Sequence, residues 1–334
     1  MKMFFRKAAL SIVQGCFFIT ALCAAPCDYL FTSIDERAGL SDNCVNDVLY
    51  DSRHYLWIAT NEGLDFYDGQ NLVHLNLSNP DNDLPSIVFS LSEDANGSLW
   101  AGTSSGLFRI RTGEGVFKRF NHPELDGAPV RYTAAAANGF LWVVGASGNI
   151  ISIDVEDDKV SSYPLNCRAL CNGPGNSVYA VTSGGSLLCS EDGHSVPGSV
   201  SESVDAAISG IKVSRLVCAG DRLFLISSND TPLVLHLKTL DLRTLESVYK
   251  MRDAIVHSSG ECWIATRDGI SIFDENLVLK RTLRPYHDNS FRCLAEGRSG
   301  GVWAGTMFEG LASLSCNYLE YRRFSDKFTG GGQL

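Results

Sequence analysis

The sequence predicts an all-β protein, a seven-bladed β-propeller made of four-stranded antiparallel blades. Two observations carry this prediction. The five tryptophans of the 334-residue chain recur on one frame, and short strand-like runs between them occur about four to a period. Four strands per 40 to 45 residues is typical of propellers, and the roughly 300 residues that follow the N-terminal segment then give seven units.

The repeat frame is set by an aromatic residue in each unit. Five units carry tryptophan, and local alignment places Tyr179 and Phe224 on the same frame. The spacings are 43, 42, 37, 45, 39 and 40 residues. We expect these side chains to pack between neighbouring blades. The frame positions are Trp57, Trp100, Trp142, Tyr179, Phe224, Trp263 and Trp303.

The second unit shows the strand pattern of one blade. Strands are predicted at 87–91, 99–103, 107–111 and 116–120, separated by turns such as Ser104-Ser105. A tandem of helical repeats is the rival interpretation. Alternating β-branched residues and closely spaced glycines disfavour it.

The N-terminus resembles an export signal. Lys2, Arg6 and Lys7 precede an apolar run from residue 8 to 22, and small residues follow it. We expect a signal peptide over 1–25, a propeller over 26–324, a flexible tail over 325–334, and a periplasmic location. An uncleaved anchor and a lipoprotein, through Cys16 or Cys23, stay open as alternatives. No later run is long and apolar enough to cross a membrane.

Charge and cysteine content limit the function classes. The chain has 28 basic and 38 acidic residues, a net charge of −10, and no basic patch of the kind that binds nucleic acid. The eleven cysteines lack the spacings of zinc or thioredoxin sites, so most are expected to be buried apolar side chains. A Cys167–Cys171 disulfide is an open possibility.

One motif carries a family resemblance. Residues 39–64 read G-L-S-x-N, then D-x-x-x-x-L-W-I-A-T-x-x-G-L, which resembles the two-component regulator propeller repeat. The match is strong in units one, two, six and seven and weaker elsewhere, as where Asp230 replaces a glycine. The resemblance implies a periplasmic sensor of a hybrid two-component system, of the Bacteroidetes type, that responds to carbohydrate fragments.

The resemblance also implies parts that this sequence does not contain. Members of the family continue into further domains and a histidine kinase, so we expect either a stand-alone recognition module or the front of a truncated sensor. Ring closure has two candidates, 29–34 and 319–324, because each is spaced as the fourth strand of blade seven. We expect 29–34 to close the ring.

Ligand binding is expected on the face where the loops from fourth to first strands and from second to third strands open together. Aromatic rings beside hydrogen-bonding groups suit a sugar, so an oligosaccharide is the expected ligand. A one-residue insertion at 307–309 sets the last turn apart. The candidate ligand residues are Arg37, Asn61, Glu62, His122, Arg267, Asp268, Tyr286, His287, Phe308 and Glu309.

Catalysis and metal binding have less support in the sequence. No hydrolase, phosphate-loop or metal-ligand motif is present, and Asp81-Asn82-Asp83 lacks the spacing of a calcium loop. We therefore expect a non-catalytic protein without cofactor or metal. A protein-docking scaffold for a membrane-bound sensor kinase or a second copy is the first alternative, and a polysaccharide-active enzyme is the second.

Overall fold

The computed structural model is a ring of seven four-stranded antiparallel sheets, as predicted. It describes residues 29–78, 84–111, 116–145, 147–227 and 231–315. The expected signal peptide, the Asp81–Asp83 segment, Asp230, the rival closing strand at 319–324 and the tail lie outside these residues.

Each of the first six blades is one run of chain, with its strands in sequence order. Blade 1 comprises β2 (Val45–Tyr50), β3 (Leu56–Thr60), β4 (Gly63–Tyr67) and β5 (Leu72–Leu75). Blade 2 comprises β6 (Val88–Glu93), β7 (Leu99–Thr103), β8 (Gly106–Arg111) and β9 (Val116–Phe120). Blade 3 comprises β10 (Thr133–Ala135), β11 (Phe140–Val144), β12 (Ile150–Asp154) and β13 (Val160–Tyr163).

Blades 4 to 6 continue the same order. Blade 4 comprises β14 (Cys167–Asn172), β15 (Val178–Thr182), β16 (Leu187–Ser190) and β17 (Gly198–Ser199). Blade 5 comprises β18 (Val213–Ala219), β19 (Arg222–Ser227), β20 (Leu233–His236) and β21 (Leu242–Thr244). Blade 6 comprises β22 (Met251–Val256), β23 (Cys262–Thr266), β24 (Gly269–Phe273) and β25 (Leu279–Leu283).

The seventh blade combines both ends of the described chain. It holds β26 (Phe291–Glu296), β27 (Val302–Thr306) and β28 (Leu311–Ser315), and β1 (Leu30–Ile34) is its outer strand. β1 pairs antiparallel with β28, from Leu30 opposite Ser315 to Ile34 opposite Leu311. The expectation that residues 29–34 close the ring is confirmed.

The first strand of each blade lies innermost, because β2, β6, β10, β14, β18, β22 and β26 pack against one another in turn and the last returns to the first. The middle strands are consequently buried on both faces, whereas outer strands such as β5 and β25 are largely exposed or half-buried. In β3, β7 and β23 all five residues are buried.

The seven frame aromatics lie in the second strand of their blades and pack against the next blade. Phe224, for example, contacts residues of blade 6 such as Phe273, and Trp57 packs with Leu99 of blade 2. Trp57 also donates its indole N–H to Asp51 at 2.9 Å, the aspartate that opens the D-x-x-x-x-L-W motif. Packing between blades, predicted from the repeat, is confirmed.

Several local features were not predicted. A short helix, α1 (Glu202–Ile208), lies between blades 4 and 5 with Ser201 as its N-cap, and 3-10 turns occur at Glu36–Ala38 and Arg298–Gly300. The Cys167–Cys171 disulfide does not form. Both cysteines are free and lie four residues apart on β14, roughly 13 Å in an extended strand and beyond the reach of a disulfide.

Candidate functional site

The turns between second and third strands are held in one shape by a buried threonine. In blade 6 the Thr266 hydroxyl donates to the carbonyl of Gly269 at 2.9 Å and accepts from the N–H of Asp268 at 3.0 Å. The same arrangement recurs at Thr60, Thr103 and Thr306. In blade 6 the two turn residues, Arg267 and Asp268, are exposed.

Gly269 is required by this turn. Its φ is +132°, and an added Cβ would overlap the carbonyl oxygen of Leu283 on the neighbouring strand. The residues around it form a cleft of about 470 Å³ at the outer edge of blade 6, on the face predicted for ligand binding. The cleft is lined by Ser247, Val248, Tyr249, Lys250, Thr266, Arg267, Asp268, Ser271, Leu279, Thr282 and Arg284.

This cleft, called here the blade 6 cleft, brings together two of the predicted residues, Arg267 and Asp268. Arg284 donates to the Asp268 carboxylate at 2.6 Å, and that hydrogen bond lowers the pKa of Asp268. Deeper in the cleft the hydroxyls of Ser271 and Thr282 lie 3.2 Å apart. The cleft therefore offers charged and neutral donors and acceptors side by side.

Tyr249 is the aromatic residue of the cleft, and sequence reasoning missed it. Its side chain is 58% exposed, and the ammonium of Lys250 lies 4.8 Å from the ring centroid. The residue belongs to the loop between blades 5 and 6, which has no repeat motif. An aromatic residue in a short polar connection was the only signal available.

The other predicted ligand residues do not join the blade 6 cleft, although Tyr286 and Glu309 lie near enough to interact electrostatically. Arg37 and Glu62 are exposed on blade 1, and His287 and Phe308 are exposed around blade 7. Glu309, beside Phe308, has its N–H bonded to Thr306 at 2.8 Å.

Two predicted ligand residues have structural contacts. The Asn61 side-chain oxygen accepts from Asn46 at 3.1 Å, and Asn46 also donates to the carbonyl of Val88 in blade 2. Tyr286 is half-buried and packs with Phe291, their ring centroids 6.1 Å apart, in the interface of blades 6 and 7. Burial raises the pKa of Tyr286.

A second polar cluster lies in the central channel and was also missed. Asp47 of blade 1 and Asp253 of blade 6 act electrostatically on Arg215 of blade 5. Blades 1 and 5 are not neighbours, so these side chains face one another across the channel. Asp47 and Asp253 each stand ten residues before a frame tryptophan, but the other five units carry no acid there, so the repeat does not single them out.

The channel carboxylates bind the backbone of the next blade. Asp47 accepts from the N–H of Leu91 at 2.8 Å, and Asp253 accepts from Leu294 at 2.8 Å. Part of each side chain stays open to the channel, yet surrounding protein displaces enough water that desolvation raises the pKa of Asp47 to about 7 and raises that of Asp253. These carboxylates thus join neighbouring blades.

The described part of the chain contains neither a metal-binding cluster nor a helix suited to a membrane. No group of three or more His, Cys, Asp or Glu side chains there has the geometry to hold a metal ion. Within the same residues, no helix has the length and apolar character needed to cross a membrane.

Residues 39–62 match the family model described as two component regulator propeller, which confirms the resemblance over that stretch. No curated protein sequence matches the chain. The fold and this repeat together define the chain as a propeller with a two-component regulator propeller repeat in its first blade.

Among solved structures, two extracellular domains from B. thetaiotaomicron are similar. BT4673, described as a one component system, is 18% identical with a TM-score of 0.66, over 85% of this chain and 40% of that one. BT3049, described as a hybrid two component system, is 19% identical with a TM-score of 0.64, over 86% and 42%. This chain therefore spans about two-fifths of the length of these domains.

Enzymes share the fold too. Virginiamycin B lyase from Staphylococcus aureus is 12% identical with a TM-score of 0.65, over 86% of this chain and 99% of the lyase. Identities this low show a common fold.

Proposed function

We propose that this chain is a non-catalytic, exported recognition propeller of a sensory system, and that it binds a carbohydrate-derived ligand in the blade 6 cleft. One observation carries the ligand proposal: an exposed tyrosine stands beside an arginine–aspartate pair and two hydroxyl side chains in one cleft. The extracellular origin of the two similar B. thetaiotaomicron domains supports export to the periplasm.

The cleft suits a sugar for physical reasons. The Tyr249 ring offers an apolar face on which a pyranose can stack, while its neighbours supply hydrogen bonds. Asp268 accepts from hydroxyl groups and Arg284 donates to them, and charged partners strengthen both kinds of bond. Arg284 and Asp268 lie 2.6 Å apart, so the cleft presents a donor and an acceptor at one place.

The non-catalytic role is supported by the contacts of the channel carboxylates. Asp47 and Asp253 each accept a backbone hydrogen bond from the next blade, so these acids help to hold neighbouring blades together. Turnover of a glycan, lost on changing an acid of the ligand-binding face, would contradict this part of the proposal.

Thermal unfolding of the full chain with a panel of neutral and acidic oligosaccharides tests the ligand. A ligand that binds only the folded state raises the melting temperature with concentration. We expect Tyr249→Ala to abolish the shift and Phe117→Ala, at an exposed aromatic residue on β9, to retain it. An unchanged melting temperature of folded wild-type protein would refute the proposal. A rise in melting temperature that persists in Tyr249→Ala would mean that the sugar binds outside the blade 6 cleft.

Protein docking is the second candidate, favoured by Phe308. This side chain is 55% exposed in the turn that the insertion lengthens, and Thr306 fixes that turn by a 2.8 Å bond to the Gly310 carbonyl. A rigid, exposed aromatic residue suits an interface anchor. If a second copy is the partner, sedimentation should show concentration-dependent association of the wild type that Phe308→Asp removes.

A further inference from the structure

A groove between the outer halves of blades 2 and 3 has a charge opposite to that of the whole chain. Its volume is about 440 Å³, within the range of small-ligand sites. Four basic side chains and one carboxylate line it, on a chain of net charge −10. We call it the basic groove, and its lining is Arg109, Arg111, Lys118, Arg119, Phe120, Asn121, His122, Asp158 and Val160.

Strand geometry places three of the cations in a row. Arg109 and Arg111 stand two positions apart on β8 and so share a face, about 7 Å apart. Lys118 on β9 is directly opposite Arg109 in the ladder. That face turns toward blade 3, since Leu107 on the same side packs with Ile151 of blade 3. The row is therefore part of the fold and does not depend on chance side-chain positions.

Lys118 is the cation of the groove that is open to a ligand, because Arg109 and Arg119 already have carboxylate partners. Arg109 donates to Asp158 at 3.0 Å and to the carbonyl of Val155, and Arg119 pairs with Asp126 at 2.7 Å. Arg109 also lies 3.6 Å from the buried carboxylate of Asp94, so its charge is balanced within the fold. Asp158 and Asp126 are 57% and 60% exposed, so these two carboxylates can give way to an anionic ligand. Lys118 makes no hydrogen bond or ion pair with any residue that the structure describes.

We propose that the basic groove binds a short oligosaccharide that carries sulfate or carboxylate groups. Lys118 binds the anionic groups, and Arg119 joins it where the ligand displaces the exposed Asp126 carboxylate. The Phe120 and His122 rings contact the sugar face, and the Asn121 amide reaches hydroxyls. The ligand is short because the groove is small, about 440 Å³, and a longer polyanion would extend onto a chain whose net charge is −10.

Calorimetry with a sulfated tetrasaccharide and its desulfated counterpart, at low salt, tests the proposal on the full chain. We expect saturable binding of the sulfated form that weakens as salt is raised. Lys118→Glu should weaken it by roughly tenfold or more. Asp158→Asn should strengthen it, because it removes a competing carboxylate, and asparagine tolerates the φ of 58° at this position.

Two controls separate the site from general charge and from the blade 6 cleft. Lys212→Glu makes the same change of charge at an exposed position before blade 5 and should leave the affinity unchanged. Tyr249→Ala should also leave it unchanged, so this inference stands apart from the proposed function.

Four outcomes would overturn the proposal. Lys118→Glu and Lys212→Glu could weaken the binding equally, or the desulfated sugar could bind as tightly as the sulfated one. An oligonucleotide or a polyglutamate peptide could bind more tightly than the sulfated tetrasaccharide. Finally, folded wild-type protein could fail to bind the sulfated tetrasaccharide.

Discussion

Replacing Asp47 by asparagine should make the protein more stable at neutral pH. The asparagine oxygen can still accept the N–H of Leu91, so the link to blade 2 is kept while the buried charge is lost. The groups that face this carboxyl are Arg215, which favours its charged form, and Asp253, which opposes it. Desolvation outweighs both and sets the pKa at about 7.

The size of the effect follows from proton linkage. An aspartate with its pKa raised from 3.8 to about 7 keeps a proton in the folded state that the unfolded chain has released. The free energy of unfolding therefore falls as pH rises through this window, by at most about 4 kcal/mol from this one group. Asparagine does not titrate, so the free energy of unfolding of Asp47→Asn does not fall in this window. The excess of its free energy of unfolding over that of the wild type should grow from pH 4 to pH 7 and then stay constant.

Urea unfolding of both proteins at several pH values between about 4 and 8 measures this difference. Glu246→Gln, at an exposed position, is the control and should track the wild type at every pH. A difference between Asp47→Asn and wild type that does not change with pH, or that shrinks as pH rises, would refute the reasoning. It would mean that Asp47 is charged in the folded protein at little cost.

Three further predictions concern the fold. Phe224→Ala, which empties the interface of blades 5 and 6, should cost about 3–5 kcal/mol of unfolding free energy in urea. Gly269→Ala should lower the melting temperature more than Gly260→Ala, because both have positive φ but only the first Cβ meets neighbouring atoms. A chain that begins at residue 36 lacks β1 and exposes the edge of β28, so it should melt earlier and associate with concentration in size-exclusion chromatography.

The architecture could be read from the sequence because it is written there seven times. The frame aromatics, such as Trp57 and Phe224, fill the same position at each blade interface. Because every blade needs a side chain there, the aromatic residues recur at similar spacings along the sequence. The closing strand was predictable because the last blade needs a fourth strand to cover its free sheet edge, and β1 fills that position beside β28.

The candidate sites were much less predictable because each departs from the repeat. Tyr249 joins Arg267 and Arg284 only after the strands of blade 6 have formed and the loop before them has packed against their turn. Asp47 and Arg215 are separated by 168 residues and meet only across the closed channel. Neither contact has a local pattern, so only the three-dimensional ring reveals it.

The closing strand also decides how the ring would respond to tension. Leu30, where β1 begins, stands opposite Ser315, where β28 ends, so the chain enters and leaves the ring at one corner of blade 7. A force applied through the two ends would peel β1 from β28 and break their hydrogen bonds one after another. Shear, in which all those bonds resist at once, would need the ends to leave from opposite corners. The same contact that seals the ring is thus its mechanical weak point, and a pull along the chain would open blade 7 first.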